Sequence, residues 1–275
     1  MKILIGGDSW GRGEWAWGGI VEEVDYEPFW AEFYNKIKGD NWPTIAPKYY
    51  QRDSLPDWIK EELKSFAFSP PAGISHKGLE LYLTTAGYDV VNTSEGASSN
   101  KEAISRLIDV IDNNINLVIF IQTDPLRDLR PFDGFKDQFK TYDQLIEYQN
   151  YSLSITYDQL NNIGKPIICL GGCSKLNLSL IKNFSNLVPL IPSIPEWLEP
   201  DYTMPEIWFS DWWHEIGRQF DIDSLDKLLQ NKKMQDLLES KKYEKYFHPD
   251  GRHANRHAWK AVSEYLNNYI NENLS

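Results

Sequence analysis

Residues 1–10 read MKILIGGDSW. The apolar run from Ile3 to Ile5 predicts a buried strand, and it ends in Gly6-Gly7, where the backbone can turn sharply. Ser9 then falls just past the strand's carboxyl end, where open α/β sheets place their ligands. Asp8 and Ser9 are also both favourable at a helix start, so capping is the competing reading of the same residues. The far end of the chain bears on the choice. FHPDGRHANRHAW, residues 247–259, sets Asp250 and His253 three residues apart.

Moving outward from the first strand, HKGLELYLTTAG predicts a helix that stops at Gly87, followed by a strand from about Tyr88 to Val91. SNKEAISRLIDVIDNN puts Ala103, Ile104, Leu107, Ile108 and Ile111 on one helical face, with Ser99 or Asn100 as its cap. A strand from Leu117 to Ile121 follows, with its turn beginning at Gln122. A long polar helix from about Tyr142 to Asn162 stops at Gly164. Pro166 opens the strand PIICLGG, and Leu187 to Ile191 supplies a fifth. Five strands interleaved with helices predict a three-layer α/β/α domain around a five-stranded parallel sheet with right-handed crossovers. The last helix, from about Asn255, carries the stripe Trp259, Val262, Leu266, Tyr269 and Ile270. One domain spanning residues 1–275 is expected. It is interrupted at about 25–71 by a segment rich in proline and tryptophan that reads as a folded flap.

The 28 basic and 40 acidic residues give a net charge of −12, which argues against a nucleic acid or an anionic membrane as partner. No stretch approaches the roughly 20 apolar residues that span a bilayer, and no signal-peptide core follows Lys2. A cytoplasmic protein is expected, with release by lysis or association with a virion left open. Cys169 and Cys173 lack the spacing or partners of a zinc or redox site; they read as a buried strand residue and a loop residue. The 11 Trp and 15 Tyr are more than a core requires. Trp10, Trp15 and Trp17 crowd the region after Ser9, and Trp208, Trp212 and Trp213 form a second cluster. Trp10 and Trp212 are candidates for substrate binding, against the plainer reading that such residues pack the flap or the sheet edge.

A serine hydroxyl is unreactive at neutral pH until a base removes its proton, and the usual base is an imidazole oriented by a carboxylate. Asp250 lies close enough to His253 on one loop to serve it, so only the serine has to come from elsewhere. With these residues on the page, the chain resembles the SGNH hydrolases, or GDSL-type esterases, and most of all their divergent phage-borne members. GGDSW resembles the family's first block, VNTSEGASSN its second, and DGRH its last. The resemblance implies a flavodoxin-like fold and a triad of Ser9, Asp250 and His253. It also implies an oxyanion hole from Ser9 and Gly96. The third block departs from the family pattern: Gln122-Thr123-Asp124-Pro125 stands where G-x-N-D is expected, which puts Asp124 at the asparagine. An ionised aspartate cannot donate to an oxyanion, and one lost donor costs about 2.7–4 kcal/mol. Gln122 or Thr123 donating instead, a protonated Asp124, or the amides of Ser9 and Gly96 alone would each repair it. Gln122 is the preferred substitute.

The expected activity is hydrolysis of carboxylic esters through an acyl-enzyme, on a small molecule or on short acyl groups of a carbohydrate. The alternative is a carbohydrate-binding module on the same scaffold, catalytically weak or inert. His257 follows His253 by four residues, with His248 and Asp250 nearby, which is a rival zinc pattern. Gly251 and the capping preference of Asn255 place His253 before the helix, so no metal or other cofactor is expected. His257, His76 and His214 read as surface or satisfied residues. The oligomeric state is not readable.

Overall fold

The computed structural model describes residues 1–12, 15–16, 73–74, 78–96, 98–129, 139–208, 220–240, 246, 254 and 256–274. The expected flap at 25–71 lies outside the described residues, as do Trp17, His76, Trp212, Trp213, His214, His248, Asp250 and His253.

The predicted strands are present within a residue or two of their expected ends. They are β1 (Lys2–Gly6), β4 (Asp89–Asn92), β5 (Leu117–Gln122), β6 (Ile167–Gly171) and β7 (Leu187–Ile191). They form one five-stranded sheet in the order β4-β1-β5-β6-β7, and every pairing is parallel. Two short strands, β2 (Trp15–Ala16) and β3 (Gly73–Ile74), pair antiparallel outside it. The helices are α1 (Ser9–Arg12), α2 (Leu79–Thr85), α3 (Asn100–Val110), α4 (Tyr142–Asn161), α5 (Leu178–Ile181), α6 (Ile194–Leu198), α7 (Ile222–Ser240) and α8 (Arg256–Asn273). A 3-10 turn, Pro125–Leu129, follows β5.

Alternation along the strands divides the core in two. Ile3, Ile5, Leu117, Ile119, Ile121, Ile168 and Leu170 face α2 and α8, where Leu83, Trp259, Val262 and Leu266 meet them. Leu4, Val118, Phe120, Ile167 and Cys169 face the other way, onto Leu107 of α3 and Leu153, Tyr157 and Leu160 of α4. The result is the three-layer α/β/α arrangement read from the sequence.

The helix punctuation follows the sequence too. Ser99 caps α3 with a reciprocal Glu102 bond, and Gly87 and Gly164 take the left-handed backbone beyond α2 and α4, at φ 97 and 71°. One residue of the α3 stripe departs from expectation: Ile108 is 53% exposed. The buried arc runs through Asn100, Ala103, Ile104 and Leu107, and Ile108, about 100° round the helix from Leu107, lies past its edge. Among the described residues no helix is long and apolar enough to cross a membrane.

Candidate active site

The strand order fixes where a site belongs. From β1 the chain goes to β4 on one side and then crosses to β5 on the other. The carboxyl ends of β1 and β5 therefore flank the point where the winding reverses, the usual ligand crevice of such sheets. Ser9 follows the first of these strands, and Thr123 and Asp124 follow the second.

Asp8 is the cap of α1. Its Oδ1 accepts the Trp10 amide at 3.0 Å, the bond an N-cap side chain makes to the second helical residue. The two residues that the sequence left interchangeable are thus separated, with Asp8 as the cap and Ser9 as the first helical residue, 6% exposed. Gly7 and Gly11 allow the loop to lie this close. A Cβ on Gly7 would meet the Ile121 carbonyl at 3.0 Å, and one on Gly11 would strike Ser94 Oγ.

The second block docks on this loop. The Glu95 amide donates to the Gly7 carbonyl at 3.3 Å, and Asn92 Nδ2 donates to the Gly11 carbonyl at 3.0 Å. Ser98 closes the turn back onto the Glu95 carbonyl through its hydroxyl and its amide, at 2.7 and 3.3 Å. Gly96 sits within that turn, exposed, beside the loop that carries Ser9.

The third block is different in kind from what its sequence suggested. Gln122, the preferred donor, is fully buried. Its oxygen accepts from Tyr157 at 2.6 Å, and its nitrogen donates to the Lys175 carbonyl at 2.9 Å and to Ser174 Oγ at 3.2 Å. That amide ties β5 to α4 and to the loop after β6. Asp124 Oδ1 accepts the Leu126 amide at 2.9 Å and so starts the 3-10 turn. Thr123 Oγ1 lies 2.6 Å from Asp8 Oδ2 and 3.2 Å from Cys173 Sγ. Its backbone is gripped at both ends by Asn100, which accepts from the Thr123 amide at 3.0 Å and donates to its carbonyl at 3.2 Å.

Two residues here had no assigned role in the sequence, Asn100 beyond a cap and Arg127 altogether. Arg127 Nη1 pairs with Asp8 Oδ2 at 2.6 Å, with side chains 13% and 0% exposed. Burial opposes the guanidinium charge, but Cys173, Asp8 and Asp124 more than offset it and hold the group above its ordinary range. The only sequence signal was position: Arg127 stands three residues beyond Asp124, one turn on.

Cys169 and Cys173 are both buried and free. Burial, and then the Asp8 carboxylate, push the Cys173 thiol from 9.0 up to about 12; burial raises Cys169 as well. A thiol raised by folding is stabilising while both states hold the proton. The contribution is complete below pH 9 and is lost as the unfolded thiol ionises between 9 and about 12. Denaturation midpoints are therefore expected to be lower at about pH 10.5 than at about pH 8. Iodoacetamide at the lower pH is expected to alkylate neither cysteine in the native protein and both in guanidinium. Rapid modification of the folded chain would contradict the burial.

The last block itself lies outside the described residues, but its flank does not. Ala254, adjacent to His253 in sequence, is 1% exposed and belongs to the same core cluster as Trp10 and Trp259. The Trp10 and Trp259 rings meet edge to face, 6.2 Å between centroids. The first loop and the start of the last helix therefore share one packed contact. Trp10, a candidate for stacking on substrate, is 4% exposed and forms part of this core. His257 is half-buried on α8. Among the described residues no three His, Cys, Asp or Glu side chains are grouped to hold a metal ion.

No family model matches the chain, and no curated protein matches it in sequence. Among solved structures the chain is similar to the psychrotrophic esterase EstA from Pseudoalteromonas sp., in a structure inhibited by monoethylphosphonate. The identity is 9%, over 98% of this chain and 97% of that one, with a TM-score of 0.35.

Proposed function

We propose that the protein is a serine hydrolase of the SGNH type that cleaves carboxylic esters through an acyl-enzyme on Ser9. The observation that carries this reading is the place of Ser9 in the fold. It stands at the winding reversal of a parallel sheet, first in a helix whose cap is already supplied by Asp8. Its amide, at the helix start, and the amide of Gly96 in the turn docked on Gly7 are the donors assigned to the oxyanion. Gln122 and Asp124 are assigned structural tasks, since their side chains already bind Tyr157, Lys175 and the Leu126 amide. The site in this reading works with those two backbone donors alone, one fewer than the family pattern.

His253 is assigned as the base and Asp250 as its orienting carboxylate. Support for both comes from Ala254, packed with Trp10 in the core beside the nucleophile loop. His253 takes the Ser9 proton as Oγ attacks the ester carbonyl and returns it to the leaving alcohol; water then repeats the cycle on the acyl-enzyme. With Trp10 in the core, Trp212 is the residue left to carry a carbohydrate preference.

A fluorophosphonate probe tests the assignment directly. It is expected to modify the native protein once, on the peptide holding Ser9. A modified serine elsewhere, or no modification in a protein that hydrolyses p-nitrophenyl acetate, would overturn it.

A further inference from the structure

We propose that Arg127 is a positioning residue of this site, clamping together the two loops to which the oxyanion donors are assigned. The inference rests on the ester-hydrolase reading for its kinetic consequence, but the clamp is geometric. A single nitrogen, Nη1, reaches three loops: Asp8 Oδ2 after β1 at 2.6 Å, the Ser98 carbonyl after β4 at 3.3 Å and Thr123 Oγ1 after β5 at 2.8 Å.

The contacts to Asp8 and to Ser98 each hold one side of the proposed hole. On the first side, Asp8 binds Arg127 through one oxygen and the Trp10 amide through the other, so the ion pair fixes the turn of α1 that presents the Ser9 amide. On the second side, the turn containing Gly96 is anchored at Glu95 by the Gly7 carbonyl and at Ser98 by Arg127. Remove the guanidinium and the Ser98 carbonyl loses its tie to the first loop, leaving the turn held by the Gly7 carbonyl and by Arg106, which pairs with Glu95 at 3.1 Å and bonds Ser98 Oγ. The Asp8 carboxylate, fully buried, would also be left as an uncompensated negative charge one residue from the developing oxyanion. Both effects bear on the transition state more than on the bound ester, so the loss belongs in kcat.

The experiment compares Arg127→Gln and Arg127→Lys with the wild type, with rates normalised to phosphonate-titrated sites so that unfolded protein does not count. Arg127→Gln is expected to lower kcat for p-nitrophenyl acetate about a hundredfold with KM within about twofold, the size of effect a misplaced group produces. Arg127→Lys keeps the cation beside Asp8 but not the planar fork, and is expected to lose about tenfold. Amide exchange is read in parallel. Peptides covering residues 7–11 and 94–96 should exchange faster in both variants, and peptides within α8 should not.

Wild-type kcat in Arg127→Gln, or unchanged exchange in both loops, would overturn the clamp. Should Arg127→Gln fail to fold, Arg127→Lys decides by the same two measurements. A wild type that never reacts with the phosphonate would defeat the ester-hydrolase reading instead, and exchange alone would then judge Arg127.

Discussion

Ser9→Ala is expected to lower kcat by on the order of 10^6, as removal of a triad nucleophile does elsewhere, to end phosphonate labelling, and to leave thermal stability nearly unchanged. The second half of that expectation separates two readings of the same residue. Were Ser9 the helix cap, its loss would cost about 1 kcal/mol and lower the midpoint by a few degrees in a chain of this size. In the structure the capping bond belongs to Asp8, whose Oδ1 holds the Trp10 amide at 3.0 Å. Alanine keeps the Cβ and is the better helix former, and the capping bond stays with Asp8, so α1 has no reason to unwind. Circular dichroism melts beside p-nitrophenyl acetate kinetics check both halves at once. A destabilised variant that kept its activity would restore the capping reading and remove the nucleophile.

The architecture was legible because its signals are local. Each strand is a short apolar run with a glycine, proline or asparagine at its edge, and each of α2 and α4 ends at a glycine with positive φ. Ser99 announced its capping box by the Glu102 three residues on. Of the candidate site, what was legible is the placement of Ser9 just past the carboxyl end of β1, because it follows from where that strand ends. Its supporting shell was not, because its members are far apart in sequence. Asp8 and Arg127 lie 119 residues apart, and a lone arginine after a strand defaults to a solvated reading. Gln122 shows the opposite limit. A side-chain amide at a strand end looked available for an oxyanion, yet the alternating pleat turns it towards Tyr157 and the loop after β6. Sequence gives residue type and spacing along one element; which neighbouring element a side chain faces depends on pairings set by the whole sheet.

Asp8→Ala is expected to destabilise the protein by about 3–5 kcal/mol, the cost of leaving one member of a buried pair without its partner. Three losses coincide at this residue. Arg127 keeps a buried charge with its nearest anion gone, Thr123 Oγ1 loses an acceptor at 2.6 Å, and the Trp10 amide loses its cap. Asp8→Asn divides them, since its amide oxygen retains one acceptor while the negative charge disappears; it should fall between wild type and alanine. The double variant Asp8→Ala/Arg127→Met removes both charges together. Its destabilisation should be smaller than the sum of the single variants by about 0.5–3 kcal/mol, the range found for residues in direct contact. High salt should change these differences little, because a pair with side chains 13% and 0% exposed is poorly reached by mobile ions. Urea titrations with a common slope would yield the four numbers. Strict additivity would mean that the two groups do not interact in solution. A double variant less stable than the sum would mean that the charges matter less than the packing of Arg127 against the loops it joins.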